Sequence, residues 1–386
     1  MAKEIPSPAL HGHILLVSHS PNLYGAEKSL LEIADYLHRH DYRISVVVPS
    51  AGMLSSALRT KGIPFIISRF ETPSKKPWRF LRFVFLFPLR LVQLRRLMLQ
   101  QHVQLVYANT FIAFNALLAA RLAGRPAIAH VREVLSDYPC FIRRILIWIV
   151  SRFSYHIIAN SHFTAEYFPA RLSHKVTVVH NGIDCHEYQN AAAKANPSNV
   201  AEVAATDFVI GCISQLIPLK NLDLAIRTMA CIARKPLPIK MLIIGNGPLR
   251  DRLERQTHEL RLSNHIKFIP YQQNILDYIT RFDIYFHTCP IEGFGRIFLE
   301  IMALAKPIVA PASGAALEII LDGETGFLVQ GNDPEHYAER IEQLFADKAL
   351  REEMGRKGRQ RAEFHFALQD KMKQIQAIVK TLATQK

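Results

Sequence analysis

Short apolar runs alternate with longer amphipathic stretches along most of this chain. In the first half the runs are His13–Val17, Ile44–Val48, Pro64–Ile67, Val103–Tyr107, Ala127–His130, His156–Ala159 and Val176–Val179. Between them lie helix-length segments such as Glu27–Arg39, Met53–Lys61, Ala113–Leu122 and Phe163–Leu172. Runs that stay apolar at every position read as strands buried on both faces. Their alternation with helices predicts an α/β fold built on a doubly wound parallel sheet.

The pattern then breaks and restarts. Tyr188–Thr206 is rich in Ala and Asn and nearly free of large apolar residues, so it reads as an interdomain linker, 188–206. Beyond it come strands Phe208–Ile213, Lys240–Ile244, Ile266–Ile269, Ile284–His287, Pro307–Ala310 and Phe327–Val329. Helices Leu222–Arg234, Pro248–Leu260, Ile297–Ala305 and Pro334–Phe345 fall between them, and Ala367–Thr384 is a last helix. The expected division is a first domain over 1–187, a second over 207–365 and a C-terminal helix over 366–386. Open α/β sheets bind ligands at the carboxyl ends of their strands, so the loops there are where chemistry is sought.

Composition narrows the class. With 49% apolar and 21% charged residues in 386, the chain is globular and neither disordered nor fibrous. No apolar run is long enough to span a bilayer. The N-terminal segment carries Lys3, Glu4, Pro6 and Pro8 in place of an apolar core, which reads against a secretory leader. Five scattered cysteines without a CxxC pair fit a reducing cytoplasm and no zinc site. The formal charge of +14 is uneven: residues 1–190 carry +11 and residues 191–386 only +3. Nucleic acid, an anionic membrane and a phosphorylated ligand are the partners such an excess suits.

The loops supply candidates. Glu292-Gly-Phe-Gly-Arg-Ile-Phe-Leu-Glu300 follows a strand and opens a helix. Its glycines allow close backbone approach, and free N–H groups at a helix start suit a diphosphate. Two carboxylates there can take sugar and ribose hydroxyls, or simply make an acidic helix start. Lys220, in Ser214-Gln-Leu-Ile-Pro-Leu-Lys220-Asn221, follows the first strand of the second half and can hold a phosphate as a point charge. Gly245-Asn-Gly247-Pro lacks the third glycine of a dinucleotide loop and reads as a tight structural turn. In the first half, Tyr24-Gly-Ala-Glu27 precedes the first helix, and His130-Val-Arg132-Glu133 ends a strand. His130 can orient a substrate or be a packed core histidine. Ser313-Gly-Ala-Ala-Leu-Glu318 passes as a helix cap.

Taken in order, Gly-Ala-Glu, His130, Asn181-Gly-Ile-Asp184, Lys220, Gly-x-Gly-Pro, Glu-x7-Glu and Asp322-Gly-Glu-Thr-Gly326 resemble the retaining family 4 glycosyltransferases of the GT-B fold. The resemblance runs over about 13–365 and is most specific over 207–345. It implies two Rossmann-like domains facing a cleft, with the C-terminal helix crossing back to the first. It implies a nucleotide-diphosphate-sugar donor held mostly by the second domain and a glycan or lipid-linked acceptor on the first. By position, Lys220 resembles the lysine on the diphosphate, Glu292 the carboxylate on the transferred sugar and Glu300 the one on the ribose. The backbone of Phe294, Gly295, Arg296 and Ile297 would cradle sugar and phosphates. Gly25 would approach the donor, His130 would sit near the sugar, and Tyr271 would lie near the base.

The departures bear on the donor. Gln215 stands where the family usually has an Arg, Tyr24 where it has the first glycine of a pair, and Ser313 where it has another glycine. No Asp-x-Asp occurs, so the carboxylate pair that would hold a metal on the diphosphate is missing, and neither cofactor nor metal is expected. A nucleotide-sugar epimerase of the same fold, or a silent glycan- or membrane-binding relative, is the alternative.

Two basic, apolar segments complete the picture. Lys75–Arg96 has seven cations, no acid and a cluster of Phe, including Trp78, Arg79, Arg82 and Phe83. Phe141–Arg152 is similar and holds the other tryptophan, Trp148. Trp, Phe and Arg mixed along a helix suit the interface of an anionic membrane. No nucleic-acid module accompanies them, so nucleic acid is not expected. The reading is a cytoplasmic enzyme, peripheral on the inner face of the membrane.

Overall fold

A computed structural model describes residues 12–68, 77–135 and 138–383, with positions 77 and 79–84 described as backbone alone. The chain divides into two compact units. One comprises residues up to Asn181 together with the C-terminal stretch from Asp370, and the other is Gly182–Gln369.

The first unit is a seven-stranded sheet of β1 His13–Val17, β2 Arg43–Val48, β3 Phe65–Ile67, β4 Leu105–Ala108, β5 Ala127–Val131, β6 His156–Ala159 and β7 Val176–Val178. Their order is β3-β2-β1-β4-β5-β6-β7. The second unit is a six-stranded sheet of β8 Phe208–Ile213, β9 Ile239–Ile244, β10 Ile266–Ile269, β11 Ile284–Phe286, β12 Ile308–Pro311 and β13 Gly326–Val329, in the order β10-β9-β8-β11-β12-β13. All strand pairs named in these sheets are parallel. β1, β4 and β5 are buried at every position, as strands covered by helices on both faces must be. In each sheet the strand order reverses once, between β1 and β4 and between β8 and β11. Those switch points open a crevice at the strands' carboxyl ends.

The elements depart from expectation in three places. Phe163–Leu172 is a short helix, His162–Ala165, followed by a 3-10 turn at Ala170–Lys175, because Pro169 cannot continue the hydrogen-bond ladder. The stretch expected as a linker is structured and belongs to the second unit. It contains the helix Cys185–Ala192 and the 3-10 turn Pro197–Asn199, and Val200 is buried in that unit's core. Asp277 fixes it by accepting from the Asn196 amide and the Asn199 side chain, each at 2.9 Å. A further helix, Lys348–His365, was not separately expected; it buries Met354, Gly355, Gly358 and Ala362. As the resemblance implied, the last helix, Leu368–Ala383, leaves the second unit at Asp370 and joins the first, where Tyr36 bonds Gln376.

The two basic segments are helices. Pro77–Gln100 carries Pro88 internally and buries Leu94 and Met98, while Trp78, Phe85, Leu89 and Val92 are exposed. Cys140–Phe153 buries only Leu146 and Val150 and exposes Phe141, Ile145 and Trp148. Both pack against the helix Phe114–Leu122. Among the described residues, no helix is long and apolar enough to cross a membrane.

Candidate active site

In the second unit the switch point between β8 and β11 is lined by the loops that follow those strands. Lys220 ends a 3-10 turn, Pro218–Lys220, and Asn221 turns the chain into the next helix through a left-handed conformation (φ 48°). The segment after β11 pins this turn: the Thr288 hydroxyl donates to the Lys220 carbonyl at 2.7 Å and the Cys289 thiol to that of Leu219 at 3.4 Å. So held, Lys220 Nζ donates to Glu292 Oε2 at 2.7 Å. His287 Nε2 lies 3.4 Å from the same oxygen.

The charge state follows. Burial alone would raise the Glu292 carboxyl, but the Lys220 ammonium and His287 more than offset it and hold it well below the usual carboxylate range. Burial would lower Lys220, and Glu292 reverses this, so its ammonium is held above the usual lysine range. Burial keeps His287 neutral and pushes the Cys289 thiol up to about 11. His287, Cys289 and Glu292 offer ligand atoms within 4.8 Å of one another. The thiol is protonated, however, and the carboxylate already carries an ammonium, so the cation built into this cluster is Lys220.

Glu292 leads into the helix Arg296–Ala303, whose N-cap is Gly295 at φ 73°. A side chain there would be strained, and its Cβ would press on the Phe298 ring and stand 3.0 Å from Glu292 Cγ. Glu300 is buried one turn inside and pairs with Arg296 (3.4 Å). Phe294 is different: its ring is buried in the core against Phe366, so only its backbone could face a ligand. Gln215 and Tyr271 are exposed on the loops after β8 and β10. The Tyr271 amide bonds the Asn246 side chain at 3.2 Å. Gly245 and Gly247 are structural, as their motif suggested: a Cβ at either would collide with the carbonyl of Ser214 or Leu216.

The first unit carries a separate polar cluster at its own switch point. Gly25 is the first residue of the helix Gly25–Arg39, and Glu27 lies buried in its first turn. His130, on β5, is buried, with the Tyr107 hydroxyl and Arg132 Nη2 both on its Nδ1, the latter at 3.0 Å. Arg132 also donates to Asn109 Oδ1 (3.1 Å) and Asn181 Oδ1 (2.6 Å). Burial, then Arg132, keep the His130 ring neutral.

Of the expected site residues, then, Lys220 and Glu292 are in direct contact, Glu300 and Gly295 lie on the same loop and helix, and Gly25 and His130 belong to the first unit. The side chains of Arg79, Arg82 and Phe83 lie outside the described residues. His287 and Asn109 were not anticipated, and Arg132 was named in the His130 motif without a role. The only signal was that His287 and Arg132 follow apolar strands directly, at the sheet edge where ligands bind.

Two doubly wound units with polar clusters at their switch points define the GT-B fold of glycosyltransferases. Family comparisons agree on both units: a model described as "Glycosyltransferase Family 4" matches residues 24–187, and one described as "Glycosyl transferases group 1" matches 195–361. The chain belongs to the family 4 glycosyltransferases. Among curated relatives, the capsular polysaccharide biosynthesis glycosyltransferase CapM of Staphylococcus aureus is 26% identical over 58% of this chain and 59% of its own. A GDP-mannose-dependent alpha-(1-6)-phosphatidylinositol monomannoside mannosyltransferase of Mycolicibacterium smegmatis is 32% identical over 42% of this chain and 43% of its own. The chain thus spans about half the length of these two relatives. The crystal structure of Anabaena HepE in complex with UDP-glucose shares the fold, with a TM-score of 0.83 and 24% identity over 96% of this chain and 100% of that one.

Proposed function

We propose that this protein transfers a sugar from a nucleotide-diphosphate sugar to a lipid-linked or cell-surface glycan, with retention of anomeric configuration and without a metal. The observation that carries this reading is the Lys220–Glu292 pair at the β8/β11 switch point, beside the N-terminus of the helix Arg296–Ala303. The ammonium and the helix start supply positive charge where a diphosphate leaving group develops negative charge, a fixed electrostatic arrangement. In this reading Lys220 takes the diphosphate, Glu292 a hydroxyl of the transferred sugar, Glu300 the ribose, and the 294–297 backbone the phosphates. Gly25 and His130 approach the sugar, and Tyr271 lies toward the base. The acceptor hydroxyl attacks the anomeric carbon on the face that the diphosphate leaves. Its proton passes to the departing phosphate oxygen.

The donor and acceptor classes draw support from relatives named for GDP-mannose, for capsular polysaccharide and for a phosphatidylinositol mannoside. The exposed Trp, Phe and Leu side chains of the helices over 77–100 and 140–153 support docking on the anionic, cytoplasmic face of a membrane. The test is a panel of nucleotide-diphosphate sugars scored for binding and slow hydrolysis, with Lys220→Ala and Glu292→Gln as controls. One or more donors should bind and be hydrolysed, and both variants should lose hydrolysis. If none binds and neither variant differs from wild type, the reading fails. Activity abolished by chelator and restored by Mg²⁺ would remove the metal-free element.

A further inference from the structure

The loop after β11 carries three metal-ligating side chains within one short run, His287-Thr-Cys289-Pro-Ile-Glu292. One ligand atom of each lies within 4.8 Å of the others. A tetrahedral zinc ion, with bonds of about 2.0–2.3 Å, sets its ligands roughly 3.3–3.8 Å apart, so small side-chain shifts close this group on an ion. His287 is 5% exposed, and its Nε2 has no hydrogen-bond partner among the described residues. That nitrogen is aimed into the group, with Glu292 Oε2 standing off at 3.4 Å. A buried polar atom left unpaired costs about 1–3 kcal/mol, and coordination of an ion removes that cost.

The rest of the loop is fixed around these groups. The Ser313 hydroxyl donates to the Pro290 carbonyl, and the Ala315 amide to that of Glu292 at 3.1 Å. The Cys289 thiol donates to the carbonyls of Leu219 and Ile291, which turns its sulfur toward the Lys220 turn. Without a metal, the cation of the cluster is the Lys220 ammonium, 2.7 Å from Glu292. That ammonium rides on a flexible four-carbon stem. The side chains of Lys220 and Glu292 are 21% and 20% exposed, so the lysine can swing out and an ion can enter on that side. Ligand chemistry selects the ion. An imidazole, a thiolate and a single carboxylate suit Zn²⁺, whereas Mg²⁺ takes oxygen ligands.

We propose that His287, Cys289 and Glu292 form an inhibitory site for a thiophilic divalent ion, Zn²⁺ by its ligand set, and that the ion displaces Lys220. On binding, the Cys289 S–H bond gives way to an S–Zn bond and the proton leaves to solvent. The ion takes over the Glu292 carboxylate, and its fourth position faces solvent. Breaking the Lys220–Glu292 pair switches off donor chemistry. The site stands on the cluster alone; that its occupation inhibits rests on the glycosyltransferase reading.

The experiment titrates the full-length protein, reduced and free of chelator, with Zn²⁺ by calorimetry and with Co²⁺ by absorption. Co²⁺ reports a sulfur ligand through its thiolate charge-transfer band. Zn²⁺ should bind, Co²⁺ should show the band, and Mg²⁺ should displace neither. Cys289→Ser should lose the band and weaken Zn²⁺ by at least about tenfold, since loss of even a group behind the ligands costs that much. Lys220→Ala removes the competing ammonium and should tighten Zn²⁺ by about tenfold, the worth of one charged hydrogen bond. Circular dichroism checks the fold of both variants, and Lys220→Ala locates the ion if Cys289→Ser does not fold. Donor hydrolysis should fall with Zn²⁺ and return with chelator. If donors are hydrolysed but wild type gives no thiolate band, or if Cys289→Ser binds Zn²⁺ as wild type does, or if Lys220→Ala binds it no tighter, this inference is overturned while the donor reading stands. Hydrolysis that continues at saturating Zn²⁺ overturns the inhibition. The band and its loss in Cys289→Ser without any donor binding would leave the site in place and overturn the donor reading instead.

Discussion

Each switch point carries a glutamate, Glu27 buried after β1 and Glu292 partly buried after β11, and the two have opposite electrostatics. Glu292 has the Lys220 ammonium at 2.7 Å and is held ionised. The charges that act on Glu27 are those of Arg132 and Glu133. Glu27's near neighbour His19 is kept neutral by burial, and the Arg132 guanidinium is spread over Asn109, Asn181 and His130. Burial then prevails and Glu27 rises to about 7. Parallel-sheet topology fixes where a ligand site can be, and the way the nearest cation is committed fixes what charge it presents.

The largest expected effect breaks this comparison at the clamped end. Glu292→Gln leaves the Lys220 ammonium without its carboxylate and removes the group proposed to meet the transferred sugar. Donor hydrolysis should fall roughly 10²–10³-fold, as when one preorganised electrostatic partner is lost. Glu27→Gln should leave donor hydrolysis within about threefold of wild type, well under 1 kcal/mol. Initial rates of nucleotide release measure both. Equal losses would mean that the two clusters serve one donor step.

Next comes the pH dependence of stability, where the two glutamates have opposite signs. The Glu292 carboxyl is lowered on folding, so its contribution is present above the ordinary carboxylate pKa and lost as pH falls. Glu27 is raised from 4.5 to about 7, so the folded state favours its protonated form. Its favourable contribution is full below 4.5 and is lost as pH rises to about 7. The size is about 3 kcal/mol. Urea unfolding of wild type and Glu27→Gln at about pH 5 and about pH 8 isolates it. The variant should gain on wild type by up to about 3 kcal/mol between the two conditions. A constant difference would show that Glu27 is ionised in the fold.

A smaller effect sharpens the geometry of the clamped site. Gly295→Ala places a Cβ at φ 73° against the Phe298 ring and Glu292. Thermal unfolding should report a loss of about 1–3 kcal/mol. The same substitution at Gly323, also left-handed (φ 74°) but with open space around its Cβ, should cost less. If the two are equal, packing at Gly295 adds nothing to backbone strain.

Much of this was legible in the sequence, for physical reasons. Strands buried on both faces write apolar runs, as β1, β4 and β5 do, so the inner strands could be read directly. Lys220 and Glu292 stood out because each follows such a run in a loop rich in Gly or Pro. The Arg132 network did not, because its partners Asn109 and Asn181 come from different strand ends and no spacing links them. The helix Lys348–His365 was missed because its buried face is made partly of Gly355, Gly358 and Ala362, which give no amphipathic signal. Gly355 is there because a Cβ would strike the Ala305 carbonyl. The Ala- and Asn-rich stretch misled in the opposite direction: its order comes from Asp277, some eighty residues away, and not from its own composition.

The smallest effect concerns surfaces, where the two units also differ. The first carries most of the basic excess, and its helix Cys140–Phe153 exposes Phe141, Ile145 and Trp148, with Arg144 and Arg152 exposed beside them. These positions fall on one helical face, and Trp148 is 60% exposed. The second unit exposes Phe364 even more fully, at 77%, on a helix whose cations are largely paired with Glu352, Glu353 and Glu363. An apolar side chain anchors to an anionic bilayer only where unpaired cations hold the surface against the headgroups. Trp148→Ala should therefore weaken flotation with anionic vesicles by about 1 kcal/mol, roughly fivefold, since the ring inserts only partly. Phe364→Ala, which removes a more exposed ring, should leave flotation unchanged. If both variants float as wild type does, the face around Trp148 is not the membrane surface. If Phe364→Ala has the greater effect, exposure outweighs charge and the docking surface lies on the second unit.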